Sequence, residues 1–206
     1  LQRGVTWLRA QPGGCRGLWA IRAGALLAAE LVRQDEQLRD LLLWQPVVDG
    51  KSFYTQLLRV RIAADMHLPD RVKTTNELRA QSAAGQVVQV SGYNIGPSLA
   101  ADLDRQALRA SDLTGHRVQV FEVLPTADAT PSPATVRWVE AARGLGVDIR
   151  MQSVTGPPFW AVHEREVVPA PRGMAPTDAA AIPEAFMTAF DALFAQAALA
   201  AGRPPP

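Results

Sequence analysis

The stretch from Cys15 to Val32, "CRGLWAIRAGALLAAELV", decides the fold. Its first part, "CRGLWAI", is a short apolar run of the kind that forms a buried strand, and "AGALLAAELVRQ" after it is rich in strong helix formers. A strand that turns at once into a helix lifts the residue at the bend above the sheet, beside the helix N-terminus. Such a bend is crowded and strained, so its flanks must be small; Ala20 and Gly24, either side of Ile21-Arg22-Ala23, meet that need. A serine at the bend could attack a carbonyl, with the following N–H helping to hold the oxyanion. Here the residue is Arg22. A guanidinium stays protonated and offers no nucleophilic lone pair, yet beside a helix N-terminus it can hold a carboxylate or phosphate. The plainer alternative is that Arg22 ends a strand and pairs with a nearby acid.

Outward from the bend, "LQRGVTWLRAQ" (1–11) predicts a helix with Val5, Trp7 and Leu8 near one face, broken by "PGG". "QLRDLLLWQPVV" predicts a second buried strand, closed by Pro46. Continuous apolar runs, in place of alternation, predict parallel strands covered on both faces. From 50 to 112 the pattern changes to an inserted, cap-like segment. "SFYTQLLRVRIAADM" puts Phe53, Leu57, Val60 and Ala64 at helical spacing. "TTNELRAQSAAG" is a helix capped by threonine and closed by Gly85, "QVVQVSGY" alternates as a half-exposed strand does, and "GPSLAADLDRQAL" starts a helix with Pro97 in its first turn. Then come the strand "HRVQVFEVL", the helix "PSPATVRWVEAARGLG" and the strand "VDIRMQSVTG". The Pro/Ala-rich stretch from 169 leads into a final helix, "PEAFMTAFDALFAQAALAA". Strand–helix alternation predicts an α/β protein with a parallel sheet, one domain over 1–168 carrying the insertion, and a linker and helix over 169–206.

Composition limits the function. With 206 residues there is one sizeable core, and 21 basic against 20 acidic residues gives a net charge of +1, which makes no electrostatic case for nucleic acid. The single cysteine, Cys15, excludes an internal disulfide and fits a reducing compartment, so a cytoplasmic location is the default expectation. The longest apolar run, near "GALLAAELV", is interrupted by Glu30 and falls short of a membrane span. Three scattered histidines and one cysteine have no metal-ligand spacing, and "GLG" at 144–146 closes a helix without opening another. Neither a metal nor another cofactor is expected. The chain opens on Leu1, and we expect it to be a fragment or a processed product.

"LWAIRAGALLA" and "LLLWQPVVDGKSFYTQLLRVRIAADM", with "TTNELRAQSAAGQVVQVSGYNIGPSLAADLD" and the late "GPPFWAVHE", resemble the α/β-hydrolase-like proteins known as exosortase A system-associated hydrolases, second type. The resemblance runs roughly from residue 5 to 166, and its Leu-Trp-Gln-Pro and Gly-Pro-Pro-Phe-Trp stretches are its more specific parts. It implies the C-terminal half of an α/β-hydrolase sheet, about four strands, with a helical and hairpin cap inserted. It also implies a bacterial setting near exosortase and exopolysaccharide genes, in systems handling PEP-CTERM proteins, and an arginine at the bend as usual. Members of the family begin earlier, with further strands and a His-Pro-Phe segment absent here. That departure leaves the first strand's edge open, an aggregation hazard, and removes the loop that supplies the other oxyanion donor.

In this fold an acid follows a strand after the bend and a histidine follows the last strand. Glu122 in "VFEVLP" is the first candidate acid and Asp128 in "TADA" the second; either also reads as a solvated loop carboxylate. His163 is the only histidine after the final strand, somewhat late in its loop, with Glu164 and Glu166 as acidic neighbours that raise its pKa. His67, His116 and Cys15 read as surface or structural residues. Trp44, Gln45, Phe159 and Trp160 fall at predicted carboxyl ends of strands, where open α/β sheets bind ligands, so they are candidates for a substrate pocket. Two functions follow. One is hydrolysis of an ester or other acyl bond in a small or glycan-linked substrate, with a nucleophile outside the bend. The other is a catalytically inactive, hydrolase-like accessory protein that binds an anionic ligand through Arg22.

Overall fold

In a computed structural model, the chain is described over residues 1–12, 14–67, 72 and 74–157. The strand expected after Cys15 is β1 (Gly17–Ile21), followed by the helix α2 (Gly24–Gln34); α1 (Gln2–Arg9) precedes them. β2 (Asp40–Trp44) comes next, and after the inserted segment come β5 (Arg117–Leu124), the helix α6 (Pro133–Gly144) and β6 (Asp148–Thr155). The four strands pair in the order β1-β2-β5-β6, every pair parallel. The molecule is therefore α/β with a four-stranded parallel sheet, as the strand–helix alternation predicts.

Register divides the residues of this sheet between two faces. Ala20, Leu43 and Val120 share one level, and Leu41, Val118 and Ile149 another; all six are buried. α2 packs on β1, α6 on β6, and a 3-10 turn (Ala110–Leu113) touches both helices. On the opposite face Trp19, Leu42, Gln119 and Arg150 stand in one row, and Gln119 and Arg150 are exposed. Among the described residues the expected cover on this second face is present at Trp44, 2% exposed and in line with Leu42, and not at Gln119 and Arg150. β5 and β6 alternate polar and apolar side chains ("RVQVFEVL", "DIRMQSVT"), so these two strands carry a more polar second face than β1 and β2. In α1 only Val5 is buried; Trp7 and Leu8 are 63% and 45% exposed.

The chain divides into two compact units. The first carries the sheet (1–48 and 108–157), and the second is Asp49–Ala107. The second unit consists of α3 (Gly50–Ala64), α4 (Thr75–Ala83), the antiparallel hairpin β3 (Val88–Val90) and β4 (Tyr93–Ile95), and α5 (Pro97–Arg105). Its core is Tyr54, Leu58, Leu78, Val88, Val90, Ile95 and Ala100. On α3 the buried core residues are Tyr54 and Leu58, with Leu57 of the expected Phe53, Leu57, Val60 and Ala64 spacing packed against the same core and Val60 49% exposed. The Tyr54 ring lies beneath the Arg79 guanidinium, which is 4.8 Å from the ring centroid. The hairpin turns on Ser91 and Gly92, both at positive φ (48° and 86°), the backbone a two-residue turn between twisted strands requires. Thr74 caps α4 by accepting the Glu77 N–H at 3.2 Å. An antiparallel bridge joins Asp49 to Ala107 and closes the unit at its two ends. The helix and linker expected over 169–206 lie outside the described residues.

Candidate functional site

The bend after β1 has the geometry that its small flanks imply. Arg22 sits at φ 53°, a left-handed backbone that a residue with a side chain adopts only when its surroundings impose it. The surroundings do so through three hydrogen bonds. The Arg22 N–H donates to the Trp44 carbonyl at 3.0 Å, and its own carbonyl accepts from the N–H groups of Ala25 and Val47, each at 3.1 Å. The first of these continues the β1–β2 ladder; the second starts α2. The side chain is half-buried, and its Nη1 donates to the Gln45 carbonyl at 3.4 Å.

Gln45 is held in the same unusual backbone state, at φ 42°. Its N–H donates to the Phe121 carbonyl at 2.7 Å, and its Oε1 accepts from the Val123 N–H at 2.8 Å. The side chain therefore extends the β2–β5 ladder by one bond beyond the strand end. Trp44 before it is fully packed, 2% exposed, edge-on to Trp19 (5.8 Å between centroids) and tilted against Phe121 (5.7 Å). Of the two residues suggested for a pocket in this stretch, the structure puts Trp44 in the core and the Gln45 amide oxygen on the sheet backbone.

Glu122 is fully buried, 0% exposed. Its Oε2 accepts from the Ser132 N–H at 2.7 Å, at the N-terminus of α6, while Oε1 is buried without a hydrogen-bond partner among the described residues. The position of Glu122 follows from register. Ile21 pairs with Trp44 and Trp44 with Phe121, so the next residues, Arg22, Gln45 and Glu122, form one row across the carboxyl ends of three strands. Arg22 and Glu122 are two strand spacings apart, roughly 10 Å between backbone positions. Burial pushes the Arg22 guanidinium below the ordinary arginine value, and the Glu122 carboxylate pushes it back up. Two helix N-termini, those of α2 and α6, add positive potential to this end of the sheet.

The other candidates fall elsewhere. Asp128 is exposed in the loop after β5, where a hydrogen bond from Thr126 holds its carboxyl below the ordinary aspartate value. His67 is exposed at the end of α3, and His116 lies in the turn before β5, its Nδ1 3.2 Å from the Thr114 carbonyl. Cys15 precedes β1 with its Sγ 3.6 Å from the Gly17 carbonyl, at the opposite end of the strand from the bend. Phe159, Trp160 and His163 lie outside the described residues. Among the described residues no three His, Cys, Asp or Glu side chains gather as metal ligands, and no helix is long and apolar enough to cross a membrane. A groove of about 570 Å³ along Trp19, Leu42, Gln119 and Arg150 lies toward the amino ends of the strands, where Asp40 and Arg117 pair at 2.6 Å. Neither Arg22 nor Glu122 lines it. The residue that sequence reasoning missed is Ser132. Its contribution is a backbone N–H ten positions from Glu122, and no side-chain motif signals such a contact.

No family model matches the chain, and no curated protein matches it. Similar solved structures include the α/β hydrolase GrgF from Penicillium sp. sh18, at 11% identity and a TM-score of 0.43, over 76% of this chain and 61% of that one. DcsB, solved in complex with its substrate analogue, is 15% identical with a TM-score of 0.39, over 74% of this chain and 60% of that one. Homoserine O-acetyltransferase from Staphylococcus aureus is 12% identical with a TM-score of 0.38, over 81% and 64% respectively. The chain spans less than two thirds of the length of each of these three.

Proposed function

We propose that this is a hydrolase-like protein, of the exosortase-associated type that its sequence resembles, in which the bend holds an anionic group and does not attack an acyl bond. The observation that carries this reading is Arg22 at φ 53°. The strained backbone that would present a nucleophile presents a guanidinium, at the carboxyl end of the sheet and beside the start of α2. A guanidinium there adds charge to a helix end that already attracts anions, and its planar donor set suits a carboxylate or phosphate. The ligand class is a small or glycan-linked acyl compound bearing such a group, in a cytoplasmic exopolysaccharide setting.

A second reading, hydrolysis of an ester or related acyl bond, is favoured by Glu122. A buried carboxylate near the carboxyl end of the third strand in the sheet is suited to orient a base. That chemistry needs a nucleophile from outside the bend. A serine-directed fluorophosphonate probe separates the two. We expect no labelling of the chain above that of heat-denatured protein; stoichiometric labelling of one serine would establish the hydrolytic reading and displace ours.

A further inference from the structure

From the unequal edges of the sheet we infer that β1 is an interface between two copies of this chain. The copies join β1 to β1 in antiparallel fashion, and their two four-stranded sheets become one continuous sheet. β1 and β6 are the outer strands, and each has one side that pairs with no described strand. Natural sheets guard such edges with charge, proline or bulges, because a row of unpaired N–H and C=O groups recruits other strands. β6 is guarded: "DIRMQSVT" sets Asp148, Arg150, Gln152 and Ser153 along it. β1 is not. "GLWAI" holds no charged or polar side chain and no proline, and it pairs with β2 residue for residue, without a bulge. Gly17, Leu18, Trp19 and Ile21 all keep some exposure to solvent.

Hydrogen bonds fix which backbone groups of β1 point outward. The Arg16 carbonyl accepts from the N–H groups of Arg39 and Asp40, and the Arg22 N–H donates to the Trp44 carbonyl. Peptide groups alternate in direction along a strand, so the even positions face β2, while Gly17, Trp19 and Ile21 face away. Each of these three presents a donor and an acceptor on the same side, the pattern that an antiparallel partner satisfies. A second β1 has the matching spacing by identity. Two identical edges meet about a two-fold axis, which makes the pairing antiparallel; it also uses up both edges, so assembly stops at two copies. Trp19 and Ile21, on the face away from α2, then lie beside the same side chains of the partner, and cross-strand aromatic and β-branched pairs favour the join. No charge within β1 opposes it. So short an edge gives a small interface, with a dissociation constant on the order of 10–100 µM.

The test is sedimentation equilibrium of the full chain between about 1 and 500 µM, with amide hydrogen exchange followed by NMR at both ends of that range. The weight-average mass is expected to rise from one chain toward two and to level there. The Trp19 and Ile21 amides are expected to exchange several-fold more slowly at the high concentration. The Met151 and Ser153 amides keep their rates; they point out from the other edge, since the Gly156 N–H donates to the Leu124 carbonyl and the alternation runs back from there. Ile21→Pro removes an outward donor and none of the bonds to β2, and should weaken the dimer about tenfold or more. A chain that stays monomeric throughout would overturn the second copy as occupant and leave the edge to a strand of another polypeptide. A dimer with unchanged exchange at Trp19 and Ile21, or growth beyond two copies, would overturn the pairing through β1. The wild-type mass and exchange rates decide even where Ile21→Pro fails to fold.

Discussion

At the scale of single residues, the bend is a place where backbone strain and charge coincide. Arg22 and Gln45 both occupy left-handed backbone, at φ 53° and 42°, and each is held there by ladder hydrogen bonds from a neighbouring strand. Gln45→Ala removes the acceptor for the Val123 N–H in a half-buried position, so we expect a loss of about 1–3 kcal/mol in urea unfolding. Gln45→Glu keeps an acceptor oxygen and should recover most of that loss; equal destabilisation by both would show that the bond to Val123 contributes nothing. The bend itself was legible in the sequence, because small residues on either side of one large one after an apolar run have few other uses. Glu122 was legible as a candidate from its place near a strand end. Its burial was not, nor was the level it shares with Arg22, because both depend on register between strands a hundred residues apart in the chain. The role of the Gln45 side chain could not be read either. An amide at a strand end looks the same whether it faces a ligand or the neighbouring backbone.

At the scale of elements, one close approach sets the second unit and one ion pair holds α1 in the first. Gly50 opens α3 where a Cβ would lie 2.2 Å from the Leu103 carbonyl oxygen, a backbone atom of α5 that cannot move aside alone. Gly50→Ala should therefore destabilise this unit by about 1–3 kcal/mol or more, against a gain of a few tenths to about 1 kcal/mol for Gly4→Ala in α1, where nothing lies within 4 Å. Thermal unfolding of the two variants tests the contrast, and a Gly50→Ala variant as stable as wild type would mean that α3 and α5 do not approach as described. α1 is tied to the end of α2 by Arg9 and Asp35, 2.7 Å apart. The hydrogen bond from Arg9 holds the Asp35 carboxyl below its ordinary value. A carboxyl depressed in the folded state stabilises it above the unfolded pKa, and the contribution is lost as pH falls through the folded value. Amide exchange in α1 should thus accelerate as pH drops below about 4 relative to the base-rate expectation, and Asp35→Asn should show the faster exchange already at neutral pH. Helices and strands were readable from propensity and capping. The face that α3 buries was not, because Phe53 and Tyr54 are adjacent aromatics and the choice between them depends on packing against α4, the hairpin and α5.

At the scale of the whole molecule, the inserted segment leaves and rejoins the sheet unit at neighbouring points. The Leu108 N–H donates to the Val48 carbonyl at 2.9 Å, so the two ends of the sheet unit already touch across the excursion. Replacing Asp49–Ala107 by a short glycine linker should therefore leave the four parallel strands folded, with far-UV circular dichroism that retains their strand signal. Loss of all cooperative unfolding in that variant would show that the sheet unit does not stand without its insertion. The α/β class and the parallel order were legible, because apolar strand runs separated by helices admit few other arrangements. The exposure of Gln119 and Arg150 was written in the alternation of β5 and β6, while the apolar runs of β1 and β2 matched the buried Trp44 on the same face. The central claim is that a guanidinium at the apex of the strand–turn–helix bend holds a carboxylate. Acetate titrated into uniformly ¹⁵N-labelled wild-type chain and into Arg22→Gln tests it most directly. We predict saturable shifts centred on the amides of residues 22–26 in the wild-type chain and none in the variant; the same shifts in both would contradict the claim.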